Sequence, residues 1–180
     1  MVDVFLMGTS GNYNDPNRSL WREPIKTACS KMGISCFDPV VPLWTEELGR
    51  REVEALQSAR ILVMAITSDT VGVASLAESG WSVLSAILRK QSVGMYIDPE
   101  YQGEQTIQST MMVRMDELLK GTNVETIDEA SRRARKLVKS HAVNLSQQFP
   151  ALSLYVANSL PDLTNWTIKT AQKMRLGSKR

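Results

Sequence analysis

The run Ile61–Thr67 (ILVMAIT) constrains this chain more than any other stretch. Six apolar residues in a row and a threonine leave no polar alternation for a solvated face, so they read as a strand buried on both sides. A polar turn with Asp69 and Gly72 follows, and Ser75-Leu76-Ala77-Glu78 opens a helical pattern. A doubly buried strand feeding a helix is half of a parallel crossover unit, which points to an α/β fold. In open sheets of that kind ligands bind beyond the carboxyl ends of the strands, so the turn after Thr67 is where a site is expected.

The rest of the chain repeats this alternation. Val2–Met7 reads as a first strand, followed by a polar loop, GTSGNYNDPNRS, and a helix over Leu20–Met32 closed by Gly33. Ile34–Phe37 reads as a short second strand and Arg51–Ser58 as a short helix. Ser75–Lys90 is a helix, Ser92–Ile97 a fourth strand, Thr106–Lys120 a helix and Val124–Thr126 an edge strand. Right-handed crossovers then favour a doubly wound, flavodoxin-like or Rossmann-like sheet of about five strands over residues 1–120. Residues 121–180 read as a mainly helical extension packed on that domain. A capping box at Thr126–Glu129 starts its amphipathic helix, with Ile127, Ala130, Ala134, Leu137, Val138, His141 and Leu145 on one face. Arg132, Arg133, Arg135, Lys136 and Lys139 are expected in solvent. Leu152–Ala157 fits strand or helix, and Asn165–Arg175 a last helix.

Charge separates the same two regions. Residues 1–120 hold 11 Lys+Arg against 15 Asp+Glu, and residues 121–180 hold 10 against 4. The basic third is expected to be a solvated helix face, with nucleic-acid association through Arg132–Lys139 as a rival. No apolar run approaches the length of a membrane span, and the first residues carry no basic leader, so a cytoplasmic protein with no membrane contact is expected. Cys29 and Cys36 match no metal-ligand spacing and are expected as reduced core thiols. His141 has no ligand partner nearby. No metal and no cofactor is expected.

Gly8-Thr9-Ser10-Gly11, with Asn12 beyond it, gives backbone amides room to approach a sugar or an anion, or makes a simple turn. It is neither GxGxxG nor a P-loop. Ser75-x-x-Glu78 fits a capping box. The same place also suits an ionised carboxylate at a helix start, able to attack or support an anomeric carbon. Asp69 in the preceding turn is a second acid or the centre of an Asx-turn. Glu52 and Glu54 point toward the same crevice or toward solvent. Trp21-Arg22 and Trp44 offer a stacking surface and a cationic anchor, or plain packing.

In their order and spacing, VFLMGTSG, WR, FDPVVPLW, ARILVMAIT, the D-x-x-G turn, SLAE and VGMYIDPEY resemble the nucleoside 2-deoxyribosyltransferase-like superfamily over roughly residues 2–120. The resemblance implies transfer or hydrolysis at the N-glycosidic bond of a nucleoside or nucleotide. It implies Glu78 as nucleophile and Asp69 at the nucleobase. The glycine loop (Gly8, Thr9, Gly11, Asn12) would lie on the sugar, and Glu54, or alternatively Glu52, on the sugar hydroxyls. Trp21, Arg22, Trp44, Gly72 and Ser75 complete the expected binding set. A homo-oligomer is expected by the same resemblance. The alternative of another class is a nucleotide-binding or sensing module of the same fold without turnover.

Overall fold

A computed structural model describes residues 2–10, 20–43, 45–101 and 127–177. Its strands are β1 (Val4–Gly8), β2 (Cys36–Phe37), β3 (Ile61–Ile66), β4 (Ser92–Ile97) and β5 (Leu154–Val156). Its helices are α1 (Arg22–Met32), α2 (Glu46–Ser58), α3 (Val73–Leu88), α4 (Ile127–Gln148) and α5 (Leu160–Gly177). The expected helix at Thr106–Lys120, the edge strand at Val124–Thr126 and the cap at Thr126 lie outside the described residues.

The five strands form one parallel sheet in the order β2-β1-β3-β4-β5. This is the flavodoxin-like doubly wound order, and its direction reverses between β1 and β3. All six residues of β3 are buried, as expected for a central strand. Alternate side chains feed two cores. Phe5, Met7, Leu62, Met64, Ile66, Val93, Met95 and Ile97 pack on one face with α2, α3 and α4 residues such as Ala55, Val83 and Ala142. Val4, Leu6, Ile61, Val63 and Ala65 pack on the other with Ile25 and Cys29 of α1 and Leu163 and Ala171 of α5. Gly94 on β4 lets α5 come close, since a Cβ there would stand 2.4 Å from the Trp166 ring.

The last third of the chain is more than a helical appendage. Val93, Gly94 and Met95 of β4 pair with Leu154, Tyr155 and Val156, so Leu152–Ala157 resolves as a sheet strand. Its helices cover both faces. The buried face of α4 is also turned from the one the apolar pattern suggests: Ser131, Arg135 and Ala142 are buried, whereas Ile127, Leu137 and His141 are exposed. Arg135, expected in solvent, has no exposed surface at all.

α2 starts a turn and a half earlier than its apolar residues suggest. Thr45 caps it, its hydroxyl accepting from the Leu48 amide at 3.2 Å. α3 starts at Gly72, in left-handed backbone (φ +68°), with no side-chain cap. The Ser75–Glu78 capping box does not form: Ser75 is already inside the first turn and Glu78 is the sixth helical residue. Cys29 is buried, Cys36 half-buried, and both are free thiols.

Candidate functional site

A crevice of about 600 Å³ opens at the carboxyl ends of β1 and β3, where the sheet reverses direction. It is lined by the end of β1, the loop after β2, α2, and the start of α3.

Its first wall is the end of β1. Gly8 has φ +118°, and a Cβ on it would stand 2.0 Å from the Ala65 carbonyl oxygen, so only glycine lets the chain turn away from β3 there. Trp21 donates its indole N–H to the Thr9 carbonyl at 2.8 Å. Arg22 donates to the same carbonyl at 2.7 Å and to that of Gly8 at 2.9 Å. The guanidinium lies 4.4 Å from the Trp21 ring centre and pairs with Asp38 at 3.3 Å. Asp38 also receives Lys26 at 3.1 Å. Arg22 does line the crevice, but these hydrogen bonds commit it to holding the β1 loop. Trp21 is buried in the core and is not among the lining residues.

The second wall is the turn from Thr67 to Gly72. Asp69 accepts a short hydrogen bond from the Thr67 hydroxyl. An ionised carboxylate only accepts, so Thr67 donates to it, and the 2.5 Å contact between the Thr9 and Thr67 hydroxyls then runs from Thr9 to Thr67. The Thr67 amide closes the link by donating to Thr9 Oγ1 at 3.0 Å. Asp69 therefore ties the two walls together from behind and does not line the crevice, whereas Thr70, Gly72 and Ser75 do.

Arg135 of α4 holds the back of this turn. It donates to the carbonyls of Thr67 (2.9 Å), Thr70, Val71 (3.4 Å) and Asp98 (3.3 Å), while its Nε donates to Ser131 Oγ at 3.1 Å. Ser131 in turn donates to the Val71 carbonyl at 2.7 Å. A Cβ on Gly72 would come within 3.1 Å of the guanidinium, so the glycine lets helix α3 start against it. Burial lowers the Arg135 pKa, and Asp98 and Asp69 counter this.

Two carboxylates line the space between the walls: Glu52 on α2 and Glu78 on α3. Burial raises the pKa of both above the ordinary glutamate value, and the Glu78 charge raises Glu52 further. A like charge across the crevice disfavours ionisation of its neighbour. Glu54 is exposed and is not among the lining residues. Gly11, Asn12 and Trp44 lie outside the described residues. The loop after β2 adds Pro39, Val40 and Val41 as an apolar side.

A larger hollow, about 750 Å³, sits at the opposite end of the sheet between Lys31–Ile34 and Gln172–Leu176. It has no acidic lining residue, so it lacks the paired acids that give the crevice its chemistry. Among the described residues no group of three or more His, Cys, Asp and Glu is placed to hold a metal ion. No described helix is long and apolar enough to cross a membrane. No protein-family model and no curated protein matches the chain.

Arg135, Thr67 and Asp38 were not legible as site-shaping residues. The one sequence signal for Arg135 is its place four residues after Ser131, which puts both on one side of α4.

Proposed function

We propose that the chain transfers or hydrolyses at the N-glycosidic bond of a cytoplasmic nucleoside or nucleotide, with Glu78 as nucleophile. The observation that carries this reading is the pair Glu52 and Glu78 in one crevice at the switch point of the sheet. Ionised Glu78 attacks the anomeric carbon, and the C–N bond breaks with its electrons leaving on the base. Glu52, whose pKa is raised by burial and then by the Glu78 charge, supplies the proton to the base. Water or a second base then attacks the glycosyl ester and frees Glu78. Two moderate displacements replace one difficult one. Ser75 offers a hydroxyl to the sugar, and the Pro39–Val41 side an apolar surface to the base.

A second reading keeps the ligand and drops the turnover. The engagement of Asp69 by Thr67 favours it, because that acid then has no direct part in handling a base.

One experiment separates the two. Nucleosides, 5′-nucleotides and NAD are incubated with the protein and free base is scored by chromatography. Base release that disappears in a well-folded Glu78→Gln protein is expected. Saturable binding without release selects the binding module. Neither binding nor release for any member of the panel would exclude both.

A further inference from the structure

Two sulfurs stand at the edge of the sheet, outside the crevice lining. Cys29 lies in the last turns of α1, and Cys36 opens β2. A tight reversal joins them. Gly33, in left-handed backbone, ends the helix, and the Ile34 amide donates to the Cys29 carbonyl at 2.9 Å. Side chains alternate along a strand, so Cys36 and Phe37 point to opposite faces of the sheet. Phe37 stacks on Phe5 on one face. Cys36 joins the core on the other face, the one that holds Cys29.

The same alternation turns Asp38 toward α1, where it meets Arg22 at 3.3 Å and Lys26 at 3.1 Å. Residues 22, 26 and 29 are spaced by four and three, so they run along one face of the helix. α1 therefore faces the β2 segment through two ion pairs to Asp38 at the crevice end and a pair of thiols at the other. The thiols share a hydrogen bond. It holds Cys29 below the ordinary thiol pKa, and the same bond, followed by burial, pushes Cys36 up. Cys29 has no exposed surface, whereas Cys36 is half-buried. One sulfur is open to a small oxidant and the other is shielded beside it, the arrangement of a reacting thiol with its resolving partner.

We propose that Cys29 and Cys36 form an oxidation site that a peroxide closes, reversibly, to a disulfide within the chain. The Cys36 sulfur attacks one peroxide oxygen and the O–O bond breaks. The thiol proton leaves with the departing oxygen as water, and Cys36 becomes a sulfenic acid. The Cys29 sulfur then attacks the Cys36 sulfur, its own proton joins the departing hydroxide, and a second water leaves. Two thiols give up two electrons and one peroxide becomes two waters. The new bond ties a strand of two residues at the edge of the sheet to the helix packed on it. It adds a covalent link beside the ion pairs of Asp38, just ahead of the Pro39–Val41 side of the crevice. None of this depends on what the crevice binds.

Peptide mapping of the peroxide-treated protein tests it. Remaining thiols are alkylated in denaturant, and the chain is cut with trypsin without reduction. Cleavage after Lys31 separates the cysteines into residues 27–31 and 32–50. The expected product joins these two peptides, is lighter than their sum by two hydrogens, and disappears on treatment with dithiothreitol. The linked protein should stay at one chain mass and melt about 5 °C above the reduced protein. Cys29→Ala should instead leave Cys36 as a sulfenic acid that dimedone traps. The wild-type map decides alone if that variant does not fold. Two alkylated cysteines after peroxide overturn the proposal, because the open thiol then does not react. Sulfinic Cys36 beside alkylated Cys29 in the wild type overturns it by showing that Cys29 does not resolve the intermediate. A disulfide between two chains overturns it as well, and a linked protein that melts no higher removes the tie between β2 and α1.

Discussion

The two walls of the crevice are each held by a buried arginine that donates to backbone carbonyls, but they are held by different parts of the chain. Arg22 reaches Gly8 and Thr9 from the helix that directly follows them, and it has Asp38 as a counter-ion. Arg135 reaches Thr67, Thr70 and Val71 from a helix some 65 residues further on, and it is met mainly by carbonyl dipoles. One wall is a local product of its own sequence. The other is completed only when the last third of the chain has docked. The basic C-terminal region, which charge alone would set apart as a solvated extension, thus supplies the group that shapes the turn before α3.

The comparison breaks most visibly at Arg135. Arg135→Met should cost about 3–5 kcal/mol, because four carbonyls and Ser131 lose a charged donor inside the fold. Arg135→Lys should recover less than half of that, since an ammonium cannot reach the same spread of acceptors. Urea denaturation measures both, and equality with an Arg22 variant would mean that the two walls are held equally strongly.

On the first wall, Gly8→Ala is expected to cost about 3 kcal/mol, because the new Cβ would overlap the Ala65 carbonyl and the backbone at φ +118° disfavours it. Thermal melting should show the loss, and a variant melting with the wild type would mean the loop relaxes freely. Arg22→Met should cost somewhat less, about 2 kcal/mol, since Trp21 still donates to Thr9. The same urea curves decide it.

The smallest effect concerns the acids. Glu52 and Glu78 both have folded-state pKa values raised above the unfolded ones. Between the ordinary value and the raised one the folded state binds more protons, so stability falls as pH rises through that window. Glu52→Gln removes part of the penalty. It should gain a few tenths of a kcal/mol at neutral pH and flatten the slope between mildly acidic and neutral pH; both carboxyls are partly in water, which keeps the effect small. A variant with the wild-type slope would mean that neither burial nor the Glu78 charge raises the Glu52 pKa.

Much of the fold was legible because it is written in local pattern. The unbroken apolar run of β3, the glycine that ends β1 and the glycine after α1 each specify their element through nearest neighbours, and β4 was read to the residue. Glu78 was legible as a crevice candidate from strand-then-helix order alone. Harder was the choice between Glu52 and Glu54. Two residues apart on a helix, they differ by about half a turn, and only the packing of α2 decides which one lines the crevice. Asp69 was legible as a turn residue, but its commitment to Thr67 depends on how the turn closes.

What the sequence determined by itself is the alternation of buried strands and helices, and with it the sheet and the edge where the crevice opens. Period and apolarity act over a few residues, so they survive being read one window at a time. Only the tertiary structure decided that Arg135 turns inward and that residues 154–156 extend the sheet. Both depend on partners far away in the chain. A buried guanidinium is tolerated only where carbonyls from several loops converge on it, and a three-residue strand forms only where an open sheet edge already waits.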